Sequence, residues 1–125
     1  PPAWDFYTRS ALIASERCLI PFDCDAFSRQ ALYTLLQQVR EIISDHNPQL
    51  EVDGIVANQF QPRARLPRQL LEEMLAEELP VLETKLSSSI KIRESHQHCK
   101  PLVFMDPQHK MTLEFRNLYH ELQSN

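Results

Sequence analysis

Residues 50–74 read LEVDGIVANQFQPRARLPRQLLEEM, and how this stretch folds decides the class of the whole chain. Through Phe60 it is rich in Val and Ile, whose branching at Cβ favours a pleated strand. Beyond Arg63 the apolar residues share one helical face: Leu66, Leu70, Leu71, Met74, Leu75 and Leu79, with Pro80 as the stop. A strand that runs through a loop into a helix is the repeating unit of an α/β sheet.

The same unit recurs on both sides. Upstream, CLIPF (residues 18–22) is a short apolar run closed by a loop, expected as a buried strand. Asp23 or Asp25 can cap the long helix that follows, whose stripe is Leu32, Leu35, Leu36, Val39, Ile42 and Ile43. Asn47-Pro48 ends it, because a residue before proline is pushed out of the helical region. Residues 5–15 fit a short helix or an ordered loop. Downstream, VLETKL (81–86) reads as a third, weaker strand and residues 89–98 as a short helix. MTLEFRNLYHEL closes the chain as a helix facing inward through Leu113, Leu118 and Leu122, with Tyr119 beside them.

The expected fold class is α/β: a mostly parallel sheet with right-handed crossovers, flanked by helices, as a single domain over residues 1–125. With few strands available, the sheet is expected to have missing neighbours. A ligand would sit at the carboxyl ends of the strands, after Phe22, Asn58 and Leu86.

Composition narrows the function classes. Hydrophobic residues make up 42% and charged residues 24%, ordinary for a globular domain. No apolar run approaches the roughly 20 residues of a membrane-spanning helix. The start at Pro1-Pro2 reads as a cut or processed piece, and without a charged-then-apolar leader secretion is not expected. Cys18, Cys24 and Cys99 cannot all pair with one another, so reduced thiols in a cytoplasmic protein are the simplest reading. A formal charge of −4 argues against coating nucleic acid through the overall field, and leaves room for a local basic patch. Gly54 is the sole glycine, so neither G-x-x-x-x-G-K-[ST] nor G-x-G-x-x-G is present.

Three stretches carry a family resemblance: PPAWDFYTRSALIASERCLIPFDCD, the strand–loop–helix unit quoted above, and TKLSSSIKIRESHQHCKPL followed by a DP dipeptide and a terminal helix. In order and spacing they resemble the C-terminal half of the ParA/MinD family. These are deviant Walker ATPases of the P-loop NTPase class that partition plasmids and chromosomes or position cargo. The resemblance implies ATP and Mg²⁺ in a full-length parent that dimerises, with nonspecific DNA bound by the ATP-loaded dimer of the ParA branch. A partition or adaptor protein would be a further partner; no membrane is implied, and the place would be cytoplasmic or nucleoid-associated. The lysine loop lies upstream in the family, so this chain alone is expected to be inactive and to hold no cofactor tightly.

Site residues follow from the resemblance position by position. Pro1 and Pro2 match the start of the switch region. Asn58 falls where some members read the adenine edge, since an amide both donates and accepts; it can equally cap a strand end or turn. Ser87, Ser88 and Ser89 stand where the family often has Pro-Arg-Asn, and can meet the base or ribose or simply cap the next helix. Ser88 lacks the basic group of that pattern, which puts DNA contact there in doubt. Arg63 resembles a basic position used for DNA, with Lys91 and Lys100, and also Arg65, Arg68 and Arg93, extending a patch if the loops are neighbours. A solvated helix start with scattered charges is the alternative.

The run HQHC (96–99) invites a metal or a Cys–His reading. It resembles the family's E-A-P-x-x-G-K-P, with His96 in place of Pro and Cys99 in place of Gly. Other zinc ligands are scattered (Cys18, Cys24, His109), so a polar surface turn is expected, with no metal and no catalytic residue. A nucleotide-free relative serving as a protein-interaction module is the competing functional reading, and a small enzyme around Cys99 a third.

Overall fold

The computed structural model describes residues 5–124. Pro1 and Pro2, read above as the start of a switch region, lie outside them. The elements are α1 (Phe6–Ala14), β1 (Arg17–Asp23), α2 (Ala26–Asp45), β2 (Glu51–Phe60), α3 (Arg65–Ala76), β3 (Val81–Ser87), α4 (Ile90–Gln97), α5 (Leu102–Met105) and α6 (Lys110–Ser124). The three strands pair in parallel in the order β1-β2-β3.

That order has a direct consequence. Consecutive parallel strands joined by crossovers of one hand put α2 and α3 on the same face of the sheet. Ile20, Phe22, Ile55, Ala57 and Phe60 therefore pack against Leu32 and Leu36 of α2 and Leu71 and Met74 of α3. The opposite face must be covered from elsewhere, and α6 does it: Val56, Leu82 and Leu86 meet Phe115, Leu118 and Leu122. Burying side chains of this size stabilises by about 1.5–3 kcal/mol each.

Local chemistry explains the boundaries. Asp25, rather than Asp23, caps α2 by accepting the Ser28 N–H at 2.8 Å. Residues 5–15 settle as helix, with Asp5 accepting the Thr8 N–H at 2.8 Å. Asn47, beyond stopping α2, donates its amide to the carbonyls of Leu12 and Ser15 at 3.1 and 2.8 Å and ties the end of α1 down. Gly54 sits inside β2, where a Cβ would lie 2.5 Å from Cδ2 of Leu82. The close approach of β3 thus requires a glycine.

Several expectations need correction. β1 is an edge strand and only half buried: Ile20 and Phe22 face the core, while Leu19 is 37% exposed because α6 reaches β2 and β3 only. Leu66 and Leu75 are exposed; α3 buries Leu70, Leu71 and Met74, and ends at Ala76, before Pro80. On α6 the inward stripe is Met111, Phe115, Leu118 and Leu122, so Leu113 and Tyr119 point outward.

Candidate functional site

At the carboxyl ends of β2 and β3 the chain opens into a cleft of about 650 Å³. Asn58 and Gln59 border it from β2, Ser87, Ser88 and Ser89 from the end of β3, Arg93 and His96 from α4, and Met111 and Phe115 from α6. The structure thus brings together the four residues singled out as a group, Asn58 and Ser87–Ser89. Parallel pairing is the cause: Phe60 stands opposite Ser87, so both strands end at the same level.

Each side chain is held differently. Asn58 is half-buried and does not end its strand; β2 continues to Phe60. Gln59 takes φ 49°, in the left-handed region, and the register shifts between Ala57 and Phe60. A non-glycine residue there is strained, as is common beside binding sites. Ser87 is gripped by the carboxylate of Glu114 on α6, which accepts its N–H at 2.9 Å and its hydroxyl at 2.7 Å. Ser89 is the N-cap of α4 and accepts the Lys91 N–H at 3.2 Å. Ser88, between them, is exposed.

Glu114 and a second acid of α6 were not legible as site residues. Glu121, two turns further on, accepts the N–H groups of Glu83 and Thr84 at 2.8 and 2.9 Å. Together the two carboxylates accept three backbone N–H groups of β3 and hold the start of its serine loop. Burial pushes the Glu121 carboxyl upward, but the hydrogen bonds from Thr84 and Glu83 outweigh it and hold the group below its ordinary value.

The basic residues divide. Lys91 and Lys100 border one hollow, shared with Glu94, His98 and Asp106, and Lys91 pairs with Glu94 at 3.2 Å. Carboxylates among the lysines weaken that patch as a phosphate surface. Arg63 is exposed in the turn between β2 and α3 and borders neither hollow.

HQHC is a helix stop. Cys99 has φ 51°, its N–H bonds the carbonyl of His96 at 3.1 Å, and the Lys100 N–H bonds that of Ser95 at 3.0 Å. This is the paired hydrogen-bond pattern that usually places a glycine at the left-handed position. His96 faces the Asn58 cleft and His98 the lysine hollow, so the two imidazoles serve different places. No group of three or more His, Cys, Asp or Glu side chains among the described residues is arranged to hold a metal ion. Burial, with Asp23 and Asp25 beside it, pushes the Cys24 thiol up to about 11, and burial likewise raises Cys18. Both shifts disfavour the thiolate, which is the nucleophilic form. No described helix is long and apolar enough to cross a membrane.

Comparison with known proteins agrees with this architecture. The family described as AAA domain matches residues 1–52. The sporulation initiation inhibitor protein Soj of Bacillus subtilis is 27% identical over 126 residues, covering 100% of this chain and 50% of Soj. Chromosome partitioning protein ParA of Myxococcus xanthus is 27% identical over 123 residues, 98% of this chain and 44% of its own length. The chain spans about half the length of the curated relatives it matches. Among solved structures, cobyrinic acid a,c-diamide synthase from Mycobacterium smegmatis, crystallised with an ATP analog and magnesium, superposes with a TM-score of 0.56 at 22% identity. It covers 80% of this chain and 43% of that one, and shows the shared fold. Sequence likeness along the whole chain and a shared parallel α/β fold lead to one conclusion: this chain is similar to Soj and ParA proteins, in line with the ParA/MinD resemblance of its sequence.

Proposed function

We propose that this chain forms the base-side portion of a ParA-type partition or positioning ATPase, the portion without a phosphate-binding loop. The observation that carries the reading is the meeting of Asn58 with Ser87–Ser89 in one cleft at the carboxyl edge of adjacent parallel strands. That edge is where ligands bind in such sheets. Asn58 offers an amide to the base edge, the serine loop borders the ribose, and Met111 and Phe115 give an apolar floor.

The fit is partial. The only glycine is walled in by Leu82 inside β2, so no loop here can wrap phosphates, and Mg²⁺ has no cluster of ligands among the described residues. In this reading triphosphate and Mg²⁺ would be held by another part of a longer protein, with the base side held here. β1 is paired only with β2, so its other hydrogen-bonding edge is where that part would continue the sheet. Such a parent would be cytoplasmic and dimeric, would meet a partition or adaptor protein, and would touch DNA through Arg63, with Lys91 and Lys100 as weaker contributors.

The test is nucleotide and DNA binding by the longer protein. Asn58→Ala should weaken ATP binding about tenfold, the worth of a good amide contact. Arg63→Ala should lower DNA affinity and flatten its salt dependence while leaving ATP binding unchanged. Wild-type ATP affinity in Asn58→Ala would refute the base-side reading. Wild-type DNA binding in Arg63→Ala would favour a protein-interaction module instead.

A further inference from the structure

Arg93 and His96 stand three residues apart on α4, so they project from the same side of the helix, and both border the cleft that Asn58 also lines. Both are exposed. Lys91, two residues before Arg93 on the same helix, is committed elsewhere, paired with Glu94. Arg93 makes no ion pair or side-chain hydrogen bond with any of the described residues, and the same holds for the imidazole of His96. Across from them lie Met111, buried, and Phe115, half-buried.

The cleft therefore has an apolar floor, an amide at one end and an uncommitted cationic and aromatic wall. A planar heterocycle suits all three: its faces are apolar and polarisable, and its edge carries ring nitrogens and exocyclic groups. The guanidinium is itself planar and donor-only, able to lie over a ring or to donate in a fork to its edge acceptors. A lysine would supply the charge without the plane.

We propose that Arg93 and His96 are ligand-contacting residues that form the wall of this cleft against a nucleobase, an inference that rests on the base-side reading above. The wall gives the cleft affinity for the base itself, independent of phosphate.

The test uses residues 1–125 labelled with ¹⁵N and titrated with adenosine, a probe without phosphates. Saturable shifts at Asn58, Ser88, Arg93 and His96 are expected, with a dissociation constant on the order of 1 mM. Arg93→Ala should weaken binding about tenfold and Arg93→Lys by less, because the planar fork is lost while the charge stays. His96→Ala should weaken it about threefold, as expected for loss of one modest contact. Both positions are exposed, and an unchanged amide spectrum elsewhere verifies the fold. Arg93→Ala and His96→Ala titrating as wild type, with Asn58→Ala weakened, would overturn the wall and leave the cleft. No saturable shift in the wild-type chain would overturn the base-side reading and this inference together.

Discussion

Cys99→Gly should make the protein more stable. The helix α4 ends with Cys99 at φ 51°, held by two reverse hydrogen bonds from Cys99 and Lys100 to His96 and Ser95. A residue with a Cβ pays about 1–2 kcal/mol in the left-handed region, which glycine does not. Glycine also gains freedom in the unfolded chain, which offsets about 0.5–1 kcal/mol. The net gain is about 0.5–1 kcal/mol, or about 2–4 °C in Tm for a chain of this length. Thermal unfolding followed by circular dichroism reads it directly. Cys99→Ala is the control: it removes the thiol, keeps Cβ and should melt within about a degree of wild type. Added zinc should shift neither variant nor the parent, since His96 and His98 serve separate hollows. If Cys99→Gly and Cys99→Ala both melt lower than wild type, the thiol makes a contact of its own and the helix-stop explanation fails.

Gly54→Ala should destabilise by about 1–3 kcal/mol, because the new methyl meets the Leu82 side chain and the sheet must spread; a chemical-denaturation midpoint equal to wild type would contradict this. Glu121→Gln keeps one acceptor for the β3 edge and loses the charge, and should cost about 1 kcal/mol at neutral pH. The folded carboxyl of Glu121 titrates below its ordinary value of 4.5, so its contribution is present above that value and lost as pH falls through the lowered one. Urea melts across pH should therefore show the gap between wild type and Glu121→Gln closing in acid; a constant gap would sink the account. Arg29→Met cuts the guanidinium that joins α2 to Glu73 and Glu77 of the α3 end, and solvent screening keeps the loss small, with a midpoint in the same melts only slightly below wild type.

The parts of the fold legible in the sequence are those set by local chemistry. Val and Ile between residues that stop or cap gave β2 its place, and Asp25 and Asn47 bound α2 by hydrogen bonds to near neighbours. The misreadings concern which side of an element is covered. Leu113 and Tyr119 lie close to the α6 stripe, and the docking of α6 on β2 and β3 buries Met111 and half-buries Phe115 instead. Leu19 looks like core within CLIPF, yet its cover depends on where α6 stops.

The candidate site divides along the same line. Asn58 and the three serines could be grouped from sequence because the carboxyl ends of neighbouring parallel strands open on one edge, and the register that sets Phe60 opposite Ser87 brings them level. What holds the serines could not, because Glu114 is 27 residues from Ser87 and reaches it only when α6 has docked. The same docking sets Met111 and Phe115 under the cleft while Glu121 clamps β3 further down. One helix thus covers β2 and β3, binds N–H groups along β3 and floors the cleft. A change that loosens α6, such as loss of the Leu118 contact with Val56, Leu82 and Leu86, must then disturb the serine loop even though no site residue is altered. Leu118→Ala in the core would cost about 2–5 kcal/mol, and amide exchange at Ser87 and Ser88 should quicken with it while exchange in α2 is affected less. Equal protection loss in α2 and at the serine loop would mean that the chain opens only as a whole, and that α6 does not govern the cleft separately from the rest of the fold.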